Sequence, residues 1–167
     1  MKNKYMEWKI NRGSRECVHC VKKFSEDEEY YSALFDENNV FLRKDFCIPC
    51  WNHAQREQLF SFWRTRIPKA NKPAKKLINT DVLLDMFLRL EGKNETHQKN
   101  LRYVIGLYLI RKKILKIKSF LRQGADEFII LSYAKAEREF SVFNQNLKEE
   151  EIESITSEMN QLLDYSF

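Results

Sequence analysis

Glycine is scarce in this chain: Gly13, Gly92, Gly106 and Gly124 are the four among 167 residues. They are widely spaced, which excludes Walker-type and dinucleotide-type phosphate loops, because both need clustered glycines for close backbone approach. Long apolar runs are missing as well. The longest, over residues 103–110, is far short of the roughly 20 residues that cross a bilayer. There is no Gly-x-Ser-x-Gly elbow, and the three histidines are too scattered to read as part of a triad. The first residues, Met1-Lys-Asn-Lys-Tyr-Met-Glu-Trp, lack the apolar core of a signal peptide. The expectation is a reducing, cytoplasmic setting. With 43% apolar and 32% charged residues, the chain has an ordinary globular balance.

What is present is a set of four cysteines in two pairs, Cys17-Val-His-Cys20 and Cys47-Ile-Pro-Cys50, with 26 residues between them. In a reducing compartment this pattern reads as metal binding rather than disulfides. Two residues between ligands let both thiolates face one ion from a tight turn, and two such turns complete a tetrahedral sulfur shell. Zn2+ is the first reading and an iron site of rubredoxin type the second, since soft thiolates suit both. A thioredoxin-like redox pair lacks its βαβ setting. His19 and His53 lie close enough in sequence to replace a cysteine, but read more simply as solvent-facing residues. Trp8, Trp51 and Trp63 read as core before they read as stacking platforms. The acidic run at 26–29 reads as a solvated turn rather than a cation site.

Between the pairs, residues 29–35 and 40–46 read as strands around a turn at 36–39. Residues 51–66, with Leu59, Phe60, Phe62 and Trp63 among charged neighbours, read as a helix ended by Pro68. A ligand turn, a β-hairpin and a second pair opening a helix resemble a treble-clef zinc finger over residues 15–66. The phrase Phe-Leu-Arg-Lys-Asp-Phe-Cys-x-x-Cys-Trp, followed by Phe-Trp-Arg, is also similar to that of uncharacterised small bacterial proteins carrying this finger. The resemblance implies an architecture and no activity.

Residues 67–79 form a Lys/Pro-rich boundary, giving three expected parts: a finger at 1–66, a linker at 67–79 and a mainly helical region at 80–167. In the last part, Thr80 is expected to cap a short helix that Gly92 stops. A long helix is expected over 98–122, apolar almost all round in its first half and basic in its second. Gly106 within it reads as a close-packing position. Two short strands at 128–133 and 138–143, joined by Ala-Lys-Ala-Glu, precede a final helix at 147–163. Asn146 and Glu149 are the expected capping pair there, and Ile152, Ile155, Met159 and Leu162 the apolar stripe. The fold class is therefore α+β: a treble-clef zinc finger, then a helical region with a C-terminal β-hairpin and helix.

Charge is unevenly spread. Net charge is +3 over residues 1–70, +9 over 71–123 and −7 over 124–167. On a helix, Lys112, Lys113 and Lys116 share one side with Arg102. Lys75, Lys76, Arg111, Lys112, Lys113 and Lys116 are thus candidate nucleic-acid contacts. The competing readings are neutralisation by the acidic C-terminal segment, a protein-interaction or scaffold role without nucleic-acid affinity, and a basic helix lying on a membrane. The apolar first half of the helix argues against the last. Four thiolates on one ion leave no open position for a reacting water, so the expectation is a non-enzymatic module with no evident small-molecule substrate.

Overall fold

The computed structural model describes residues 13–69 and 79–163. The chain divides into two compact units, one taking residues up to Ile78 together with those from Asn160, the other Asn79–Met159. The linker segment 70–78 falls outside the described residues, as does Trp8. Both units are α+β, and each holds one three-stranded antiparallel sheet. No helix among the described residues is long and apolar enough to cross a membrane.

In the first unit, β1 (Glu29–Glu37) and β2 (Val40–Cys47) form the expected hairpin. Glu37 faces Val40, which leaves a two-residue loop of Asn38 and Asn39 with φ of 54° and 65°. Two left-handed residues in succession make the type I′ turn whose twist matches a hairpin, and asparagine tolerates that conformation. The Asp36 carboxylate also accepts from the Asn39 N–H at 3.0 Å.

The helix expected over 51–66 is not there. A single turn, α1 (Ile48–Trp51), follows the second cysteine pair, and β3 (Leu59–Arg66) then pairs with β1 to give the order β2-β1-β3. The apolar residues at 59, 60, 62 and 63 fit a helical stripe, but aromatic residues and threonine also favour strands. The deciding requirement is non-local. β1 buries Tyr30, Ser32, Ala33, Leu34 and Phe35, so both its edges need hydrogen-bonding partners. One face of the sheet gathers Cys17, Phe24, Tyr30, Cys47 and Ile67, with Phe24 stacked on Tyr30 at 4.2 Å. The other gathers Ala33, Phe35, Phe46 and Trp51.

The second unit begins with α2 (Thr80–Arg89), whose cap is Asn79 rather than Thr80: the Asn79 side chain accepts the Asp81 N–H at 3.0 Å. α3 (Thr96–Arg111) follows and stops eleven residues before the expected end at 122. Its termination is a Schellman motif. Lys113 takes φ of 60°, its N–H bonds to Ile110 O at 2.8 Å, and the Ile114 N–H bonds to Leu109 O at 3.0 Å. The residues expected to continue the helix form β4 (Lys116–Gln123) instead. From Leu115 to Lys118 apolar and basic residues alternate, a period of two that suits a strand.

β4 is the edge of a sheet ordered β4-β5-β6, with β5 at Asp126–Tyr133 and β6 at Arg138–Phe143. β5 and β6 match the two expected strands and are joined by a 3-10 turn at Ala134–Ala136. Ile129 and Leu131 of β5 and Phe140 and Val142 of β6 are buried, as are Phe87 of α2 and Ile105 of α3. Gly106 is a close-packing position: a Cβ there would stand 3.3 Å from the Phe87 ring and 3.6 Å from Leu131.

α4 (Glu149–Leu162) closes the described chain. Its expected Asn146–Glu149 capping pair is replaced by two other contacts. Asn146 is left-handed and its N–H bonds to the Asn144 side chain, while the Glu151 carboxylate accepts the Lys148 N–H at 2.8 Å.

Candidate metal centre

The first cysteine pair sits in a tight turn just before β1. The Val21 N–H bonds back to Cys17 O, and the Cys17 N–H to Lys22 O, each at 2.8 Å. Closing the turn forces Val21 into the left-handed region at φ of 59°. The second pair straddles the end of β2 and α1: Cys47 is the last strand residue, Pro49 occupies the first turn, and Cys50 follows. Proline suits that place because its fixed φ is helical and it has no N–H to satisfy. One contact ties the first turn to the strand that carries Cys47. The Val18 N–H donates to Asp45 O at 2.9 Å, and Asp45 in turn belongs to β2.

The result is four sulfurs lying within 4.8 Å of one another. Cys20 Sγ and Cys47 Sγ are 3.8 Å apart. A disulfide would need about 2.05 Å. A tetrahedron with metal–sulfur bonds of about 2.3 Å has edges of about 3.8 Å. Donor type, number and spacing therefore fit one tetrahedral thiolate-bound cation. His19 and His53 are exposed and stand outside the cluster.

The thiols influence one another strongly. Burial pushes Cys17 up, but N–H donors from Cys20, Cys47 and His19 outweigh it and bring Cys17 down to about 6. Burial pushes Cys47 up. Cys50 is pushed up to about 12, first by its hydrogen bond with the Cys47 thiol and then by burial. One thiolate forms readily, and further ones at the same spot need a cation between them. The Lys22 ammonium adds positive charge nearby. It is held protonated mainly by Glu28, at 2.5 Å.

Beside the cluster lies a cleft of about 550 Å³ lined by Lys22, Asp27, Glu28, Glu29, Cys47 and Arg66 among others. Its charges pair across the cleft: Lys22 with Glu28, and Arg66 with both Asp27 and Glu29. The acidic run at 26–29 is thus largely matched to basic side chains rather than solvated alone.

Behind the first cysteine turn is a buried polar network that no sequence motif announces. The Ser32 hydroxyl donates to Asp45 Oδ1 at 2.7 Å and accepts from Arg43 Nη2 at 2.9 Å, while Arg43 Nε donates to the same carboxylate at 3.0 Å. Gly13 packs directly on it, since a Cβ there would fall 2.5 Å from Asp45 Oδ2. The available signal was the Arg-x-Asp spacing, which puts opposite charges on one face of a strand.

Arg111, Lys112, Lys113 and Lys116 come together along the turn from α3 into β4, all exposed. Lys112 lies over the Tyr108 ring at 5.4 Å. Among the described residues none of the four forms an ion pair. Lys75 and Lys76 lie outside the described residues. Arg102 does not join the basic face. It is buried, donates to Ser141 O at 3.0 Å and to Phe87 O at 3.3 Å, and stacks on the Phe87 ring. Burial lowers its pKa. Trp51 and Trp63 are core residues. Comparison with protein-family models, curated proteins and solved structures gives no match.

Proposed function

We propose that this chain is a non-enzymatic, treble-clef-like zinc module that contacts nucleic acid through its basic surface. Cys17, Cys20, Cys47 and Cys50 hold one Zn2+ as a closed structural site. Zinc is favoured over iron because a four-thiolate tetrahedron satisfies it with no redox role to fill. With every position taken by sulfur, the ion activates no water; it fixes the two turns.

Arg111, Lys112, Lys113 and Lys116, with Lys75 and Lys76 of the linker, contact phosphates. The observation that supports this is the exposed basic turn between α3 and β4. The acidic segment at 124–167 neutralises the basic one only in part: among the described residues, no carboxylate of α4 forms an ion pair with Arg111, Lys112, Lys113 or Lys116. Glu91, Glu127 and Glu139 serve Arg138, Arg122 and Lys118 instead.

The test is binding of the zinc-loaded chain to single- and double-stranded oligonucleotides at two salt concentrations. Affinity that falls steeply with salt, and a loss on reversing Lys112 and Lys113 to Glu, supports phosphate contact by counterion release. Absence of binding even at low salt removes this reading and turns the search to protein partners.

A further inference from the structure

All eight residues of β4 are exposed, on both faces of the strand. Its register explains how unusual this is. Phe120 faces Ile129 and Ile117 faces Leu131 across the β4–β5 pair. Cross-strand partners share a face of the sheet, so Phe120 and Ile117 belong to the face that carries the core. Ile129 and Leu131 are 6% and 1% exposed there, whereas Phe120 is 62% and Ile117 46% exposed. Among the described residues, the covering of that face ends at β5.

The charge beside this uncovered strip has one sign. From Arg111 to Gln123 the chain carries six basic residues and no acidic one. Lys118 and Arg122 pair with Glu139 and Glu127, which leaves Arg111, Lys112, Lys113 and Lys116 unpaired among the described residues. A second copy adding its own β4 to this edge would set lysines and arginines against one another, a like-charge pairing that opposes association. A polyanion meets no such penalty. A duplex offers only phosphates to a phenylalanine ring at its surface, because its base faces are stacked inside. A single strand offers phosphates and open base faces together.

We propose that β4 is a platform for single-stranded nucleic acid, with a base stacked on Phe120 and the flanking phosphates met by the Arg111–Lys113 turn. This rests on the nucleic-acid reading above and narrows it to one class of ligand. Stacking is sequence-tolerant because every base has a π-face, so the platform takes RNA and DNA single strands alike.

The experiment titrates the metal-loaded full chain with oligo(dT), oligo(U) and a duplex of equal length, using wild type, Phe120→Ala, Phe120→Leu, Phe120→Trp and the Lys112→Glu/Lys113→Glu pair. Phe120→Ala and Phe120→Leu are expected to weaken single-strand binding by about 5- to 150-fold, and Phe120→Trp to retain it. The salt slope should not change, since no phosphate contact is removed. The lysine pair should weaken single strand and duplex together. Unaltered single-strand affinity in Phe120→Ala, with wild-type binding intact, overturns the platform, leaves the phosphate reading standing and points to an added protein strand at this edge. Failure of wild type to bind any of the three at low salt overturns both.

Discussion

Arg43 and Asp45 form an ion pair inside the first sheet, two residues apart on β2, with Nε to Oδ1 at 3.0 Å and side-chain exposures of 0% and 1%. Their shared partner is Ser32 on β1, itself fully buried. Replacing such a pair with apolar residues is often neutral, but removing one partner strands a buried charge. Asp45→Ala should therefore destabilise the protein by about 3–5 kcal/mol in a urea titration. The double variant Arg43→Met/Asp45→Leu should recover much of that loss. A double variant as unstable as the single one would show that the pair is not the source of the cost.

Metal removal should unfold the first unit rather than loosen it. Apparent zinc-binding energies of about 10–16 kcal/mol are as large as the roughly 5–15 kcal/mol that holds an ordinary domain together. The core around Cys17 and Cys47 is small. Stringent chelation should erase the amide protection of β1, and Cys17→Ser or Cys50→Ser should drop the metal content below one ion per chain. A melting profile unchanged by chelation would contradict a structural ion.

Val21 offers a stabilising substitution. A β-branched residue at φ of 59° carries a left-handed penalty of about 1–2 kcal/mol. The residue is 68% exposed, so little packing is lost on truncation. Val21→Gly should gain roughly 0.5–1 kcal/mol after the added unfolded-state entropy is counted. Val18→Gly, in the same turn but without a positive φ, should lose stability. Chemical denaturation of the metal-loaded forms compares the two, and a destabilised Val21→Gly would refute the strain.

His97 should make stability depend on pH. Burial lowers it from 6.5 to about 4, so between those values the unfolded chain binds the proton that the folded one refuses. Its contribution is intact above 6.5 and is lost as pH falls toward 4. Glu158, with Oε2 3.9 Å from His97 Nε2, is raised by its own burial and acts with the opposite sign. Going from about pH 7 to about pH 5, wild type should lose about 1–2 kcal/mol more than His97→Gln. Thiolate protonation affects both proteins equally and cancels in that comparison.

The parts legible in the sequence were those specified locally. Two Cys-x-x-Cys turns declare a candidate four-thiol site by spacing alone, and the Asn38–Asn39 turn between alternating strands declares a hairpin. The two misread stretches fail for different reasons. The segment that becomes β3 has a pattern compatible with either period, and only the open edge of β1 decides between them. The segment that becomes β4 follows a helix whose stop signal is Lys113, a left-handed residue with no glycine to advertise it. Continuing that helix would set Arg102 on a basic face, whereas the fold buries it against Phe87 and β6. Neither Phe120 nor the Arg43–Asp45 pair stands out until the register of its strand is known.

The hairpin register has a consequence for how the first unit assembles. Cys47 stands opposite Tyr30 across β1 and β2, and a slip of one residue would turn every side chain of β2 to the other face. A hairpin out of step would then offer three sulfurs to an ion in place of four. Four-coordinate binding would reward only the correct alignment, so an ion held there would act as a gauge of strand registration. Chains that pair wrongly would be left unclamped and free to re-pair.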